Sequence, residues 1–430
     1  MKALLIAFLQ ARARAVIQKF HPTIIAITGS IGKTSTKKAI YEVLAPHFDI
    51  RTAEKNYNNE IGLPLTILGE DAPGKSPLKW LKIFWHSYRI TSFPKILVLE
   101  FGADKPGDIR ALCEIAPPTI GIVTGISPVH VANFPDLDSL VQEKASLVAA
   151  VPKDGLAILN ADDAYCEKIR SRTMAPVVTF GVERGDFSAR ELSIEIRPDE
   201  HFDPGELFCA TKALALKRGD VISGLHLKNC LGYAPVMASL AALAVADHFG
   251  IRLIDAVKDL DEKIRPEKGR LNPVAGIKGT LILDDSYNAA PAAMKNGLEL
   301  LKQFVPGEEF DRRIAALGQM MELGSLTEKE HKEIGRLVAS VADTFIAVGE
   351  SMRFAVEGAK EAGMQSDKIE WFATSEEAGR YLDAYVQEGD VIYVKGSQSS
   401  RMEKVVKDIM AEPLRAEELL VRQDEKWLAT

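Results

Sequence analysis

The chain has 430 residues, with 53 Lys and Arg against 60 Asp and Glu, a formal net charge of −7. That length allows two or three domains, each with its own core, and 47% hydrophobic with 26% charged residues is ordinary for a globular, cytoplasmic-type protein. The acidic balance argues against general nucleic-acid binding, which needs a clustered basic surface. Cys113, Cys166, Cys209 and Cys230 lie far apart with no CxxC pair, which suits neither a zinc knuckle nor a disulfide framework and predicts free thiols in a reducing compartment.

Residues 1–22 read as an amphipathic helix packed on the first domain. The apolar run Ala3–Leu9 is short of the roughly 20 residues a bilayer span takes, and no small-residue cleavage site follows it. The alternative is a peripheral membrane contact through this helix. The aromatic and basic segment Trp80–Arg89 (WLKIFWHSYR) points the same way.

From Thr23 short apolar runs alternate with helix-like stretches: IIAIT (24–28), KILVLE (95–100), TIGIVTGI (119–126) and GLAILN (155–160). Such alternation specifies an α/β fold with a mostly parallel sheet. Between about 180 and 228 the pattern turns to short alternating runs, a small antiparallel β-rich part, and helices near 233–248 and 252–262 close this domain. The charged, Pro- and Gly-bearing stretch 265–270 marks a boundary, giving domains at 23–266 and 267–430. The second repeats the βα pattern with TLILDD (280–285), RIAALG (313–318), DTFIAVG (343–349), KIEWFA (368–373) and DVIYVKG (390–396). The expected architecture is a P-loop, parallel-sheet ATPase domain with a small β-rich part, followed by a Rossmann-like α/β domain.

The sharpest motif is TGSIGKTS (28–35), which leaves an apolar strand and opens a helix, the context a phosphate loop requires. Gly29, Ser30 and Gly32 let backbone N–H groups turn toward phosphate oxygens, and the helix N-terminus at Lys33, Thr34 and Ser35 adds its positive end. Lys33 reaches the outer phosphates and Thr34 holds Mg²⁺; the bland alternative is a glycine turn between strand and helix. Glu100, ending a parallel strand of the same sheet, is the candidate metal-binding acid.

Taken in order, GSIGKTS (29–35), NYNNEIGLP (56–64), LEFGAD (99–104) and a His and a Lys fourteen residues apart (His130, Lys144) resemble the Mur ligases, over about residues 22 to 410. Gly269-Arg270, DDSYN (284–288) and KGS (395–397) match the branch that adds D-Ala-D-Ala better than its siblings. The resemblance implies an ATP-dependent carbon–nitrogen ligase. ATP converts a carboxylate into an acyl phosphate, an amine attacks it, and the protein positions the groups and neutralises charge. Two Mg²⁺ ions are implied, with Thr34 and Glu100 on the first and His130 on the second. Lys144 falls where the family carries a lysine carbamylated by CO₂, a change that turns a cation into an anionic ligand. Without the family, Lys144 reads as an exposed helical lysine and His130 as an ordinary loop histidine.

The resemblance also assigns Asn56, Asn58 and Asn59 to substrate, Asp285 to the nucleotide ribose and Asn288 toward the γ-phosphate. Arg270 reaches phosphates when the domains close, and closure excludes water from the acyl phosphate. Lys395, Ser397 and Arg401 lie near the incoming amine; the alternative is a strand-to-helix turn with solvated charges. The implied partners are a small peptide precursor and an amino acid or dipeptide, with no nucleic acid, acting on a monomer in the cytoplasm.

Three departures stand out. Only about twenty-two residues precede the first strand, where the family carries a domain for the UDP-sugar (domains run to about 50 residues or more), so that domain is expected to be absent. The family's GxHNxxN adenine run reads Gly232-Tyr-Ala-Pro-Val-Met-Ala238 here, with Ala234, Pro235 and Ala238 at the polar positions. Pro235 suits a helix start but donates nothing to a base. Gln319 stands where the family often has an acid. Other readings are a ligase of the folylpolyglutamate or cyanophycin kind acting on a non-UDP carboxylate, and a non-catalytic nucleotide-binding scaffold. A P-loop motor or GTPase is disfavoured, because no NKxD-type run reads the base.

Overall fold

The computed structural model describes residues 2–53, 57–74, 76–127, 134, 136–196, 209–304 and 311–428. The chain divides into two compact units. The first comprises 1–192, 212–226 and 233–264, and the second 193–211, 227–232 and 265–430.

In the first unit helix α1 (Lys2–Phe20) precedes β1 (Thr23–Thr28), α2 (Lys33–Leu44), β2 (Ile50–Thr52), α3 (Gly62–Leu68), α4 (Pro77–Tyr88) and β3 (Ile96–Glu100). Then come α5 (Asp108–Ile115), β4 (Ile120–Val123), α6 (Leu137–Ala150), β5 (Leu156–Asn160), α7 (Ala164–Ile169) and β6 (Val177–Phe180). Three longer strands follow, each divided between the two units, β7 (Phe187–Ile196), β8 (Cys209–Lys217) and β9 (Asp220–Lys228), then α8 (Tyr233–His248) and α9 (Leu253–Lys263) of the first unit. Arg218 and Gly219 both take positive φ (51° and 93°) between β8 and β9, the two-residue turn that matches hairpin twist. The β-rich part is therefore built on a hairpin.

The strand order is β2-β3-β1-β4-β5-β6-β7-β8-β9, with β1 paired in parallel to both β3 and β4. The chain leaves β1 to one side through β2 and β3 and crosses to the other through β4. The crevice beyond the carboxyl end of β1 is thus a switch point, where ligands bind in open α/β sheets. Strand β1 is buried along Ile24–Thr28, so neither face can alternate with polar residues. Helix α1 buries Leu9, Ala13 and Val16, spaced four and three apart, and packs on α3.

The second unit contains β10 (Asn272–Ala275), β11 (Leu281–Asp285), α10 (Pro291–Leu301), β12 (Arg312–Gly318), α11 (Thr327–Val341) and β13 (Thr344–Val348). It continues with α12 (Met352–Glu361), β14 (Ile369–Phe372), α13 (Ser375–Tyr385), β15 (Asp390–Lys395) and α14 (Glu403–Ile409). Its order is β10-β11-β15-β12-β13-β14, parallel except for β10. Successive residues point to opposite faces. Leu281, Leu283, Ala315, Leu317 and Tyr393 join one apolar core with α10–α12, and Ile282, Ile314, Ala316, Ile392 and Val394 join another with α13 and α14. Both faces are covered, the Rossmann-like arrangement that the alternating pattern predicts.

All four cysteines are free and buried. Burial pushes the Cys113 thiol up to about 12, which makes it inert rather than nucleophilic. Among the described residues no helix is long and apolar enough to cross a membrane.

Candidate active site

The loop Gly29–Gly32 leaves β1 at the switch point. Gly29 has φ 149°, and a Cβ there would fall 2.1 Å from Thr124 Oγ1. Only glycine lets β1 turn so closely beneath the end of β4. Thr124 Oγ1 donates to the Ile31 carbonyl at 2.5 Å, while Ser30 Oγ donates to the Ser127 carbonyl and accepts from Ser127 N–H. Gly32, in the left-handed region at φ 80°, starts α2 without any side-chain cap. The first turn of α2 thus opens directly from the loop, and a helix N-terminus of this kind binds anions. Lys33 Nζ folds back onto the Gly29 carbonyl at 2.7 Å, spanning the loop where phosphates would lie.

Thr34, in the first turn of α2, meets Glu100 at the carboxyl end of β3, Oγ1 donating to Oε2 at 3.3 Å. Glu100 is buried. Its Oε1 lies 3.0 Å from Lys37 Nζ, an ion pair without hydrogen-bond geometry. Lys37 Nζ also donates to the Ala53 carbonyl at 2.8 Å. Lys37 went unnoticed in the sequence, although it falls three residues after Thr34 and hence on the same face of α2.

A cleft of ≈ 430 Å³ opens beside the loop, lined by Gly29, Ser30, Lys33, Asn58, Asn59, Asp104, Lys105, Asp108 and Lys144. Lys144, on α6, is only 3% exposed. Burial, and after it the charge of Lys33, pulls its ammonium down to about 7, against the opposing pull of Glu143, Asp104 and Asp108. Burial thus favours the uncharged amine, the form that reacts with CO₂. Its neighbour Glu143 accepts from Gly107 N–H at 2.7 Å and Ile109 N–H at 2.6 Å. It thereby holds the loop carrying Asp104 and Asp108, a role with no signature in the sequence. Asn59 Oδ1 accepts from Gly62 N–H at 2.9 Å where α3 begins, and the Asn58 carbonyl accepts from Gly102 N–H at 2.9 Å. Asn56 and His130 lie outside the described residues.

Among the described residues no group of three His, Cys, Asp or Glu side chains converges as a metal cage. Magnesium does not need one, since it binds through one or two carboxylates, hydroxyls, waters and substrate phosphates. The buried Glu100 Oε1, lacking a hydrogen bond, together with Thr34 Oγ1, fits that donor set. At the start of α8, Ala234 is exposed and Ala238 buried, and the Pro235 carbonyl accepts from Ser239 Oγ at 2.9 Å.

In the second unit, Asp285 and Lys395 are register partners on β11 and β15, and Lys395 Nζ lies 2.6 Å from Asp285 Oδ2. The Tyr393 hydroxyl donates to the same oxygen at 3.1 Å. Asn288 is exposed on the loop before α10. Arg270 stacks on the Tyr287 ring, 4.4 Å from its centroid, and pairs with Glu267 at 3.2 Å. Ser397 N–H donates to the Gln319 carbonyl at 3.0 Å, tying the turn after β15 to the end of β12. Arg401 takes φ 52°, pairs with the buried Glu403 at 2.6 Å and donates to the Trp427 carbonyl at 2.9 Å. The geometry gathers Asp285 with Lys395, and Ser397 with Gln319.

Comparison with known proteins bears on this arrangement. The Mur ligase middle-domain family model matches residues 27–217, and that for the Mur ligase glutamate ligase domain matches 269–398. The UDP-N-acetylmuramoyl-tripeptide–D-alanyl-D-alanine ligase of Bacillus subtilis is 27% identical over 408 residues, covering 94% of this chain and 80% of that protein. Its Mycobacterium tuberculosis counterpart is 32% identical over 406 residues, covering 91% and 73%. The solved structure of the MurF ligase from Thermotoga maritima in complex with ADP superposes with a TM-score of 0.74 at 26% identity, covering 94% of this chain and 83% of that one.

Proposed function

The chain belongs to the Mur ligase family, and from that premise we propose an ATP-dependent amide ligase that adds D-Ala-D-Ala to the peptide of a cell-wall precursor. The observation that supports this most is one cleft lined by the phosphate loop and by a buried Lys144 whose ammonium is pulled down to about 7, with Glu100 accepting a hydrogen bond from Thr34 just behind the loop. The N-terminus of α2 and Lys33 bind the phosphates of ATP and offset the charge that develops as the γ-phosphoryl passes to a substrate carboxylate. Thr34 and Glu100 hold Mg²⁺, with Lys144, as its carbamate, and His130 serving a second ion. Bound Mg²⁺ supplies charge neutralisation on the phosphate oxygens. Carbamylation requires the free amine, and the buried setting of Lys144 provides it.

Asn56, Asn58 and Asn59 are the residues assigned to binding the precursor in this reading. In the second unit Asp285 contacts the ribose, Asn288 and Arg270 contact phosphates, and Lys395, Ser397 and Arg401 line the path of the amine. The acyl phosphate needs protection from water, because hydrolysis competes directly with the amine. We infer a cytoplasmic monomer whose N-terminal helix packs on the first domain, with peripheral membrane contact through that helix as the alternative. The test is phosphate release from ATP with a UDP-muramyl tripeptide and D-Ala-D-Ala, with Lys33→Ala as control. Release that needs both substrates and is lost in the control supports the assignment. Turnover stimulated by neither refutes these substrates.

A further inference from the structure

Helix α4 has apolar residues on two faces. One face is spoken for: Ile83 packs with Leu9, Val16, Leu65 and Leu68 in a small core beneath α1. The other carries Leu78, Leu81, Trp85 and Tyr88, at spacings of three, four and three, with exposures of 79%, 64%, 61% and 66%. A helix packed by one face on a water-soluble protein ordinarily turns polar residues outward. Here a continuous apolar stripe faces out instead, and α1 extends it. The Phe8 ring meets Phe84 edge-on with centroids 4.4 Å apart, and Leu4 is exposed beyond it. Phe8, Leu78, Leu81, Phe84, Trp85 and Tyr88 bound a surface groove of ≈ 760 Å³.

The charge around this stripe identifies what covers it. Residues 2–20 and 72–99 hold nine Lys and Arg and no Asp or Glu, leaving 44 cations against 60 carboxylates elsewhere in an acidic chain. Lys79 and Lys82 are exposed alongside the stripe. Arg89 lies over the Trp85 ring at 3.5 Å and Arg12 over the Tyr88 ring at 3.8 Å, so cations border the exposed aromatics. Among the described residues one carboxylate, Glu70, reaches α4, at His86. An exposed apolar stripe with Trp and Tyr, rimmed by cations, complements the boundary between acyl chains and anionic headgroups. A folded protein partner would require a matching acidic rim of its own; an anionic bilayer presents one everywhere.

We propose that α4, extended by the first half of α1, docks the protein on the surface of an anionic phospholipid bilayer, with Trp85 and Leu81 inserted and Lys79, Lys82 and Arg89 over the headgroups. Each cation brought to such a surface strengthens binding roughly fivefold, and each inserted large side chain about tenfold or more.

The test is co-sedimentation of the full chain with vesicles of phosphatidylcholine alone and of phosphatidylcholine with phosphatidylglycerol. The protein should pellet only with the anionic vesicles and be released at roughly 1 M salt, where the Debye length is about 3 Å. Leu81→Ser with Trp85→Ser should weaken binding about a hundredfold while melting temperature and phosphate release stay at wild-type values. Should that pair misfold, Lys79→Glu with Lys82→Glu tests the same surface and should abolish binding. No binding to anionic vesicles, or binding indifferent to both pairs of substitutions, overturns the proposal. So does self-association of the free protein that the same substitutions abolish, since the face would then join two copies of the chain.

Discussion

Lys395 and Asp285, 110 residues apart, form a buried ion pair of 2.6 Å across adjacent parallel strands, with Tyr393 as second donor to the same carboxylate oxygen. The fold brings the pair together because β15, last of the strands in the chain, inserts between β11 and β12. A carboxylate so held is oriented before any ligand arrives. Replacing Lys395 by Met strands a buried anion, and such a loss costs about 3–5 kcal/mol. Replacing both, as Asp285→Leu with Lys395→Met, should cost less than either single change. Chemical denaturation of the four proteins measures this directly.

Lys37 plays the corresponding part in the first unit. It neutralises Glu100 inside the fold, with both side chains nearly sequestered from water. Lys37→Met should lower the unfolding free energy by about 3–5 kcal/mol, whereas Lys153→Met, at an exposed turn position before β5, should change it by no more than about 0.5 kcal/mol. Equal effects of the two substitutions would contradict a structural role for the pair.

These pairs show where the sequence runs out. The strands β1, β3, β4 and β5 are legible because each is a continuous apolar run, and the phosphate loop because glycine and lysine spacing is local. Strands β2, β6 and β10 are not, being three or four residues long; β10 even contains Pro273, acceptable only because it sits at the sheet edge. Lys144 has the composition of a solvated helical lysine, and its burial depends on α5 and the loop closed by Glu143. Asp285 and Lys395 are each legible as polar strand ends, but their mutual contact depends on strand order, which no local pattern encodes.

Lys144 should be modified by CO₂. With ¹³C-labelled bicarbonate the protein should give a carbamate resonance that Lys144→Met lacks, and that variant should lose phosphate release by at least about a hundredfold. A labelled resonance that survives the substitution would move the modification elsewhere.

His331 is fully buried on α11 as a neutral ring. Nδ1 faces the Thr327 carbonyl at 2.7 Å, and Nε2 accepts from Met320 N–H at 3.0 Å. Burial holds its pKa below the ordinary 6.5. The unfolded chain therefore binds the proton more readily, and the stability His331 contributes is present above pH 6.5 and lost as pH falls from there toward the lower folded value. Asp284 has the opposite sign. Burial raises it to about 6, so its contribution is present below its ordinary 3.8 and lost as pH rises through 6. Melting temperatures of wild type and His331→Gln between about pH 7.5 and 5.5 separate the two. The wild type should lose stability more steeply with acid, and parallel curves would exclude His331.

The central claim is that ATP activates a substrate carboxylate for attack by an amine. Carboxylate of the peptide precursor labelled with ¹⁸O, incubated with ATP and D-Ala-D-Ala, tests it most directly. Passage through an acyl phosphate transfers one labelled oxygen into each phosphate released, read by mass spectrometry. Release of unlabelled phosphate alongside amide formation would contradict the account.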